Sequence, residues 1–185
     1  MKDVSFKDFD ILSEQDKSEA VALLQRYDQL EKQDDCQNDF ISFLNHMWPD
    51  FIEGRHHKII ADKFNRIAEG KLKRLIVCLP PRHSKSEFAS TFFPAWMMGR
   101  RGNLKIIQTT HTAELAVRFG RKVRNIIDST EYQHIFPDLK LQADNKSAGR
   151  WTSNQEGEFF AAGVGGAITG RGADLLIIDD PHSEQ

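Results

Sequence analysis

Lys85 and Ser86 close a polar turn, Pro80-Pro81-Arg82-His83-Ser84-Lys85-Ser86, directly after the apolar run Leu75-Ile76-Val77-Cys78-Leu79. An ammonium and a hydroxyl between a strand and a helix are the pieces that hold a triphosphate. Backbone N–H groups cradle the anion, the lysine reaches the β- and γ-phosphates, and the hydroxyl holds Mg²⁺. A second reactive pair, Asp179-Asp180, closes another apolar run, Ala173-Asp174-Leu175-Leu176-Ile177-Ile178. Acids at a strand's C-terminal edge suit nucleotide hydrolysis: Asp179 holds Mg²⁺ through water, and Asp180 polarises the attacking water. Each stretch has a plainer reading, Ser86 as a helix cap and Asp-Asp-Pro as a turn ending a strand. The two together, in this order, favour nucleotide chemistry.

The loop departs from the G-x-x-x-x-G-K-[ST] spacing, with Leu79 in the first glycine position and Ser84 in the second. A Cβ at residue 84 narrows the cradle or opposes a positive φ. Pro81, Arg82, His83, Ser84, Lys85 and Ser86 are the residues expected to surround the phosphates. Within them Arg82 is either a cation for the γ-phosphate or a structural ion-pair partner. Other chemistries fit poorly. No C-x-x-C or zinc spacing joins the histidines to Cys36 and Cys78, and no G-x-S-x-G elbow occurs. A dinucleotide fold needs glycines where Pro80-Pro81 stand.

Several elements must position these groups. Leu75–Leu79 and Leu175–Ile178 read as buried strands. Ahead of them, Ser13 with Asp16 starts a helix striped by Leu23, Leu24, Tyr27 and Leu30, which breaks at Asp34-Asp35. Asn38 then caps a helix with Phe40, Phe43, Leu44, Met47 and Trp48 on its apolar face. A third helix carries Ile60, Phe64, Ile67 and Ala68 and ends at Gly70. After the loop, Phe88, Ala89, Phe92 and Phe93 bury a helix that Pro94 must kink or restart. Leu104–Gln108 reads as a strand. Thr112 caps the next helix, whose Arg118, Arg121 and Lys122 meet either solvent or phosphates. Residues 139–150 read as loop, and Asn154–Gly157 as the turn of a hairpin. Five glycines fall within residues 163–172, a flexible segment that carries Arg171.

At 185 residues the chain is long enough for one domain with a sizeable core. A net charge of −2 argues against a generally basic nucleic-acid coat and leaves any DNA contact to local patches. Two cysteines make no disulfide framework, Cys78 reads as a small core residue, and a reducing cytoplasm fits. No apolar stretch is long enough to span a bilayer, and residues 1–6 lack a signal-peptide core.

The stretches PPRHSKSE, IFP with the following RWTSNQEGEFFAAG, and GGAITGRGADLLIIDDP resemble the ATPase half of tailed-bacteriophage terminase large subunits, the motors that pump viral DNA into empty capsids. The likeness runs from about Asn38 to the end. It implies an α/β P-loop NTPase fold of the ASCE type, with a mostly parallel sheet, flanking helices on both faces and an N-terminal helical lead-in. Residues 1–37 would be a helical extension and 38–185 the ATPase domain. The resemblance places His57 near the adenine, where the competing reading is a surface histidine at a helix start. It makes Arg171 a cation that can act in trans, against the alternatives of a mobile loop or a DNA contact. Related sequences often carry Glu where Asp180 stands, so the water sits closer or Glu184 assists. The family threads a further strand between the two apolar strands and continues into a nuclease domain. If these 185 residues are the whole product, an unfilled slot is expected between 75–79 and 175–178. ATP and Mg²⁺ are the implied cofactors. Double-stranded DNA, a small subunit, a portal and procapsid, and copies of the chain in a ring are the implied partners, in the host cytoplasm. A catalytically incomplete nucleotide-binding fragment and a helicase-type ATPase are the alternatives.

Overall fold

Phenylalanine spacing sets the core. The structure, a computed structural model, describes residues 13–166 and 168–182, without the side chains of 143–146. The expectations for residues 1–12 and for Glu184 lie outside this range. Helix α1 (Glu14–Asn38) is capped by the Ser13 hydroxyl and runs through Asp34-Asp35 without breaking. Asp39, not Asn38, caps α2 (Phe40–Met47) by accepting from the Ser42 amide. A carboxylate one residue later serves the same orphan donors better, because it also carries charge favourable to the helix dipole. Helix α3 (Arg55–Ala68) follows, and Gly70 ends it with φ 74°. Phe40 lies edge-on to Phe64, Phe88, Phe93 and Trp96, so α2 is the hub of the helical layer.

The apolar stripe of α1 does not join this core. Leu23, Leu24, Tyr27 and Leu30 are all more than half exposed. Only the C-terminal end of the helix is anchored. Cys36 is buried there, its carbonyl accepts from Trp96 Nε1, and Gln33 and Gln37 donate to the Ile135 carbonyl. Burial, with Asp35 and Asp39 nearby, pushes the Cys36 thiol up to about 11.

A π-helical segment (Glu87–Phe92) leads into α4 (Phe93–Arg100), with the Phe93 amide donating to the Phe88 carbonyl five residues back. Pro94 supplies the reason. It has no N–H for the Ser90 carbonyl, so the ladder shifts by one residue ahead of it. The expected restart at Pro94 takes this form.

The sheet orders its strands β2-β3-β4-β1-β5. They are β1 (Lys105–Thr110), β2 (Leu141–Lys146), β3 (Arg150–Ser153), β4 (Glu158–Gly163) and β5 (Leu175–Ile178). Helix α5 (Ala113–Ile127) and the short α6 (Thr130–Ile135) follow β1. β1 pairs in parallel with β4 and β5, whereas β2, β3 and β4 pair antiparallel. The sheet is therefore mixed and not mostly parallel. The hairpin before β4 was expected, but the polar residues 141–146 also form a strand, because they complete the ladder of β3. The core lies between the helices and the sheet face bearing Ile106, Phe159, Ala161 and Ile177. Leu176 and Ile178, on the opposite face, are more than half exposed where the sequence predicts cover on both faces.

The largest departure concerns Leu75–Leu79, which among the described residues bonds to no strand. Leu75, Val77 and Leu79 pack on the core while Ile76 is 90% exposed and Cys78 is exposed, so Cys78 is not a core residue. The alternation is that of a half-buried strand without a ladder partner. Between this segment and β5 lies a cavity of about 870 Å³, lined by Leu75, Val77 and Leu175–Ile178. The slot expected from the sequence is open.

Candidate functional site

The parallel register of β1 and β5 carries the two acids to the C-terminal edge of the sheet. The ladder runs on past β5, with the Asp179 amide donating to the Thr109 carbonyl and the His111 amide to the Asp180 carbonyl. Successive residues of a strand point to opposite faces, so the two carboxylates part company. Asp179 turns toward the helices and is 7% exposed, whereas Asp180 stays largely in solvent.

Lys85 meets both. Its ammonium donates to Asp180 Oδ1 at 2.6 Å and lies 4.0 Å from Asp179 Oδ1. The hydrogen bond it donates to Asp180 is the main reason the lysine is held above its ordinary range. These groups, ninety-five residues apart in the chain, converge at one end of the cavity, which Pro181 also lines.

The loop before Lys85 is bent in the way a glycine-rich loop bends. Arg82 and Ser84 have φ of 63° and 60°, so Ser84 takes up the left-handed conformation in the second glycine position despite its Cβ. Asp180, at φ 41°, is a third such residue. Each costs about 1 kcal/mol relative to glycine, and strained backbone gathers where function over-determines it. Among the described residues no backbone acceptor takes the amides of His83, Ser84, Lys85 or Ser86. Left-handed Ser84, followed by Lys85 and Ser86 in the first helical turn, makes a concave nest of free N–H groups, which suits an anion. Pro81, Arg82 and His83 are exposed around it, and His83 Nδ1 sits 2.9 Å from the Pro81 carbonyl. Arg82 makes no ion pair among the described residues.

Compared with family models, with curated proteins and with solved structures, the chain matches none.

Of the two other expected site residues, His57 adjoins the loop at His83, and Arg171 lies away from it. His57 is buried at the start of α3, where its Nδ1 accepts from the Gly54 amide. Phe88 stacks on its ring at 4.8 Å, and Phe51 and His56 press against it, so its faces are occupied by the core. Burial first, and His56 second, push this histidine below its ordinary range. Arg171 lies at the opposite end of the sheet. It bonds Glu158 Oε1 at 3.0 Å and covers the Phe160 ring at 3.9 Å, at the N-terminal edge of β4. Arg150 shares the same carboxylate oxygen at 2.9 Å.

One site residue escaped the sequence reading. Ser90, fully buried, donates its hydroxyl to Asp179 Oδ2 at 3.0 Å. The signal was its spacing: Ser86 and Ser90, four apart, share one face of a helix. Among the described residues no three His, Cys, Asp or Glu side chains gather to hold a metal by themselves. Ser86 and Asp179 are hard oxygen donors, a set that suits Mg²⁺ only when substrate phosphates complete its shell.

Proposed function

We propose that this chain binds and hydrolyses ATP with Mg²⁺, as the motor module of a DNA-packaging terminase of the P-loop, ASCE type. One observation carries the nucleotide reading. An ammonium and two carboxylates meet at a single cavity end, and the loop with the free amides leads directly into that ammonium, although ninety-five residues separate Lys85 from Asp180 in the chain. In this reading the amides of 83–86 hold the β-phosphate. Lys85 leaves Asp180 for the γ-phosphate when nucleotide arrives, because a phosphate carries more negative charge than a carboxylate. That exchange frees Asp180 to orient and deprotonate the attacking water. Ser86 and Asp179 hold Mg²⁺, which neutralises charge on the phosphates. Arg82, exposed and unpaired, is the loop's cation for the γ-phosphate.

The terminase assignment rests on the sequence resemblance, as do its partners: double-stranded DNA, a small subunit, the portal of a procapsid, and further copies of the chain in a ring. The open slot beside β5 fits that resemblance, since the related motors place a strand there. It also favours a second reading, a nucleotide-binding module with little turnover of its own, because unpaired strand edges leave the acid-bearing strand supported on one side only.

Initial rates of ATP hydrolysis test the reading against Lys85→Ala and Asp179→Ala. Turnover that either change lowers by at least about a hundredfold supports the enzyme, that being the usual scale for one electrostatic contact to a transition state. Nucleotide binding without turnover supports the second reading. Turnover indifferent to both substitutions rules out this site.

A further inference from the structure

We infer that Ser90 is a positioning residue for Asp179, holding the carboxylate in the orientation that turns one oxygen toward the phosphate end of the cavity. The inference rests on the nucleotide reading above and deepens it. Asp179 is 7% exposed, and its two oxygens have different surroundings. Oδ2 accepts from Ser90 Oγ at 3.0 Å within the protein, and Oδ1 faces the Lys85 ammonium at 4.0 Å. A carboxylate free to rotate spends time with neither oxygen turned to the cavity, and a cation-binding acid loses affinity when its orientation is not fixed. Ser90 removes that freedom.

The helix is built to bring Ser90 there. Pro94 withholds the amide that would bond the Ser90 carbonyl, and the turn ahead of it opens to five-residue bonding, with the Phe93 amide reaching Phe88. This wider turn lies directly after Lys85-Ser86. Ser90 falls one turn beyond Ser86, where it reaches the acid. The two hydroxyls divide the work: Ser86 is the less buried and is left for the metal, while Ser90, fully buried, is committed to the carboxylate.

The test is calorimetric titration of ATP into wild type, Ser90→Ala, Ser90→Thr, Asp179→Asn and the Ser90→Ala/Asp179→Asn double variant, each in excess MgCl₂ and in EDTA. Wild type should bind ATP more tightly with Mg²⁺. Ser90→Ala should lose about tenfold of that gain, the usual size of an effect transmitted through a ligand's hydrogen-bond partner. Its affinity in EDTA should not change, which a misfolded protein could not manage. Ser90→Thr, which keeps the hydroxyl, should retain the gain. The double variant should be no weaker than Asp179→Asn alone, since the serine acts through the acid. A full Mg²⁺ gain in Ser90→Ala, or effects of the two substitutions that multiply, overturns the inference and leaves the nucleotide reading standing. A wild type that ignores Mg²⁺ or ATP overturns both.

Discussion

The two ends of the same parallel strands carry charge in opposite ways. At the N-terminal edge Arg150 and Arg171 share Glu158, Arg171 also covers Phe160, and both arginines have a partner in place. At the C-terminal edge three residues hold a left-handed backbone, the loop amides are free, and Lys85 bridges to an acid that is mostly in solvent. The first arrangement is satisfied and the second is poised. A sheet edge built for packing neutralises itself, whereas one built for a ligand leaves donors unspent and strain unrelieved.

Substitutions break the comparison in order of size. Lys85→Ala should cut ATP hydrolysis by at least about a hundredfold, while Arg171→Ala should leave the initial rate near wild type. Equal losses would mean that the arginine serves a site on another copy. Glu158→Ala should cost about 1 kcal/mol in urea denaturation, because it strands two half-exposed arginines, and the cost should shrink in high salt. Its rate of hydrolysis should hold. Ser84→Gly should do the reverse and stabilise by about 0.5 kcal/mol, the relief of a left-handed Cβ less the added freedom of glycine when unfolded. The smallest effect concerns His57. Its folded-state affinity for protons is depressed, so it favours the fold when neutral, and this is lost as pH falls below the ordinary histidine range. His57→Gln should flatten the acid side of the melting-temperature profile.

Much of the poised edge was legible before the fold was known. Lys85, Ser86, Asp179 and Asp180 were named from their positions after apolar runs, and the hairpin and most helices from their periodicity. What was missed depended on partners that a local pattern does not contain. Leu75–Leu79 has every mark of a strand, but a ladder needs a neighbour, and none of the described strands pairs with it. Residues 141–146 look like loop and become a strand only because β3 lies alongside. The stripe on α1 has helical spacing, yet spacing does not say what covers it. Arg171 sits few residues before the acids in sequence, but the short β5 carries the chain from one sheet edge to the other between them. Ser90 was hidden because one proline, four residues on, decides which way its turn opens.

A crystal structure with a non-hydrolysable ATP analogue and Mg²⁺ tests the central claim most directly. The account predicts the γ-phosphate within hydrogen-bonding distance of Lys85 Nζ, the β-phosphate on the amides of 83–86, and Asp180 released from the lysine. A triphosphate bound elsewhere, or a Lys85–Asp180 pair still closed beside it, would contradict it.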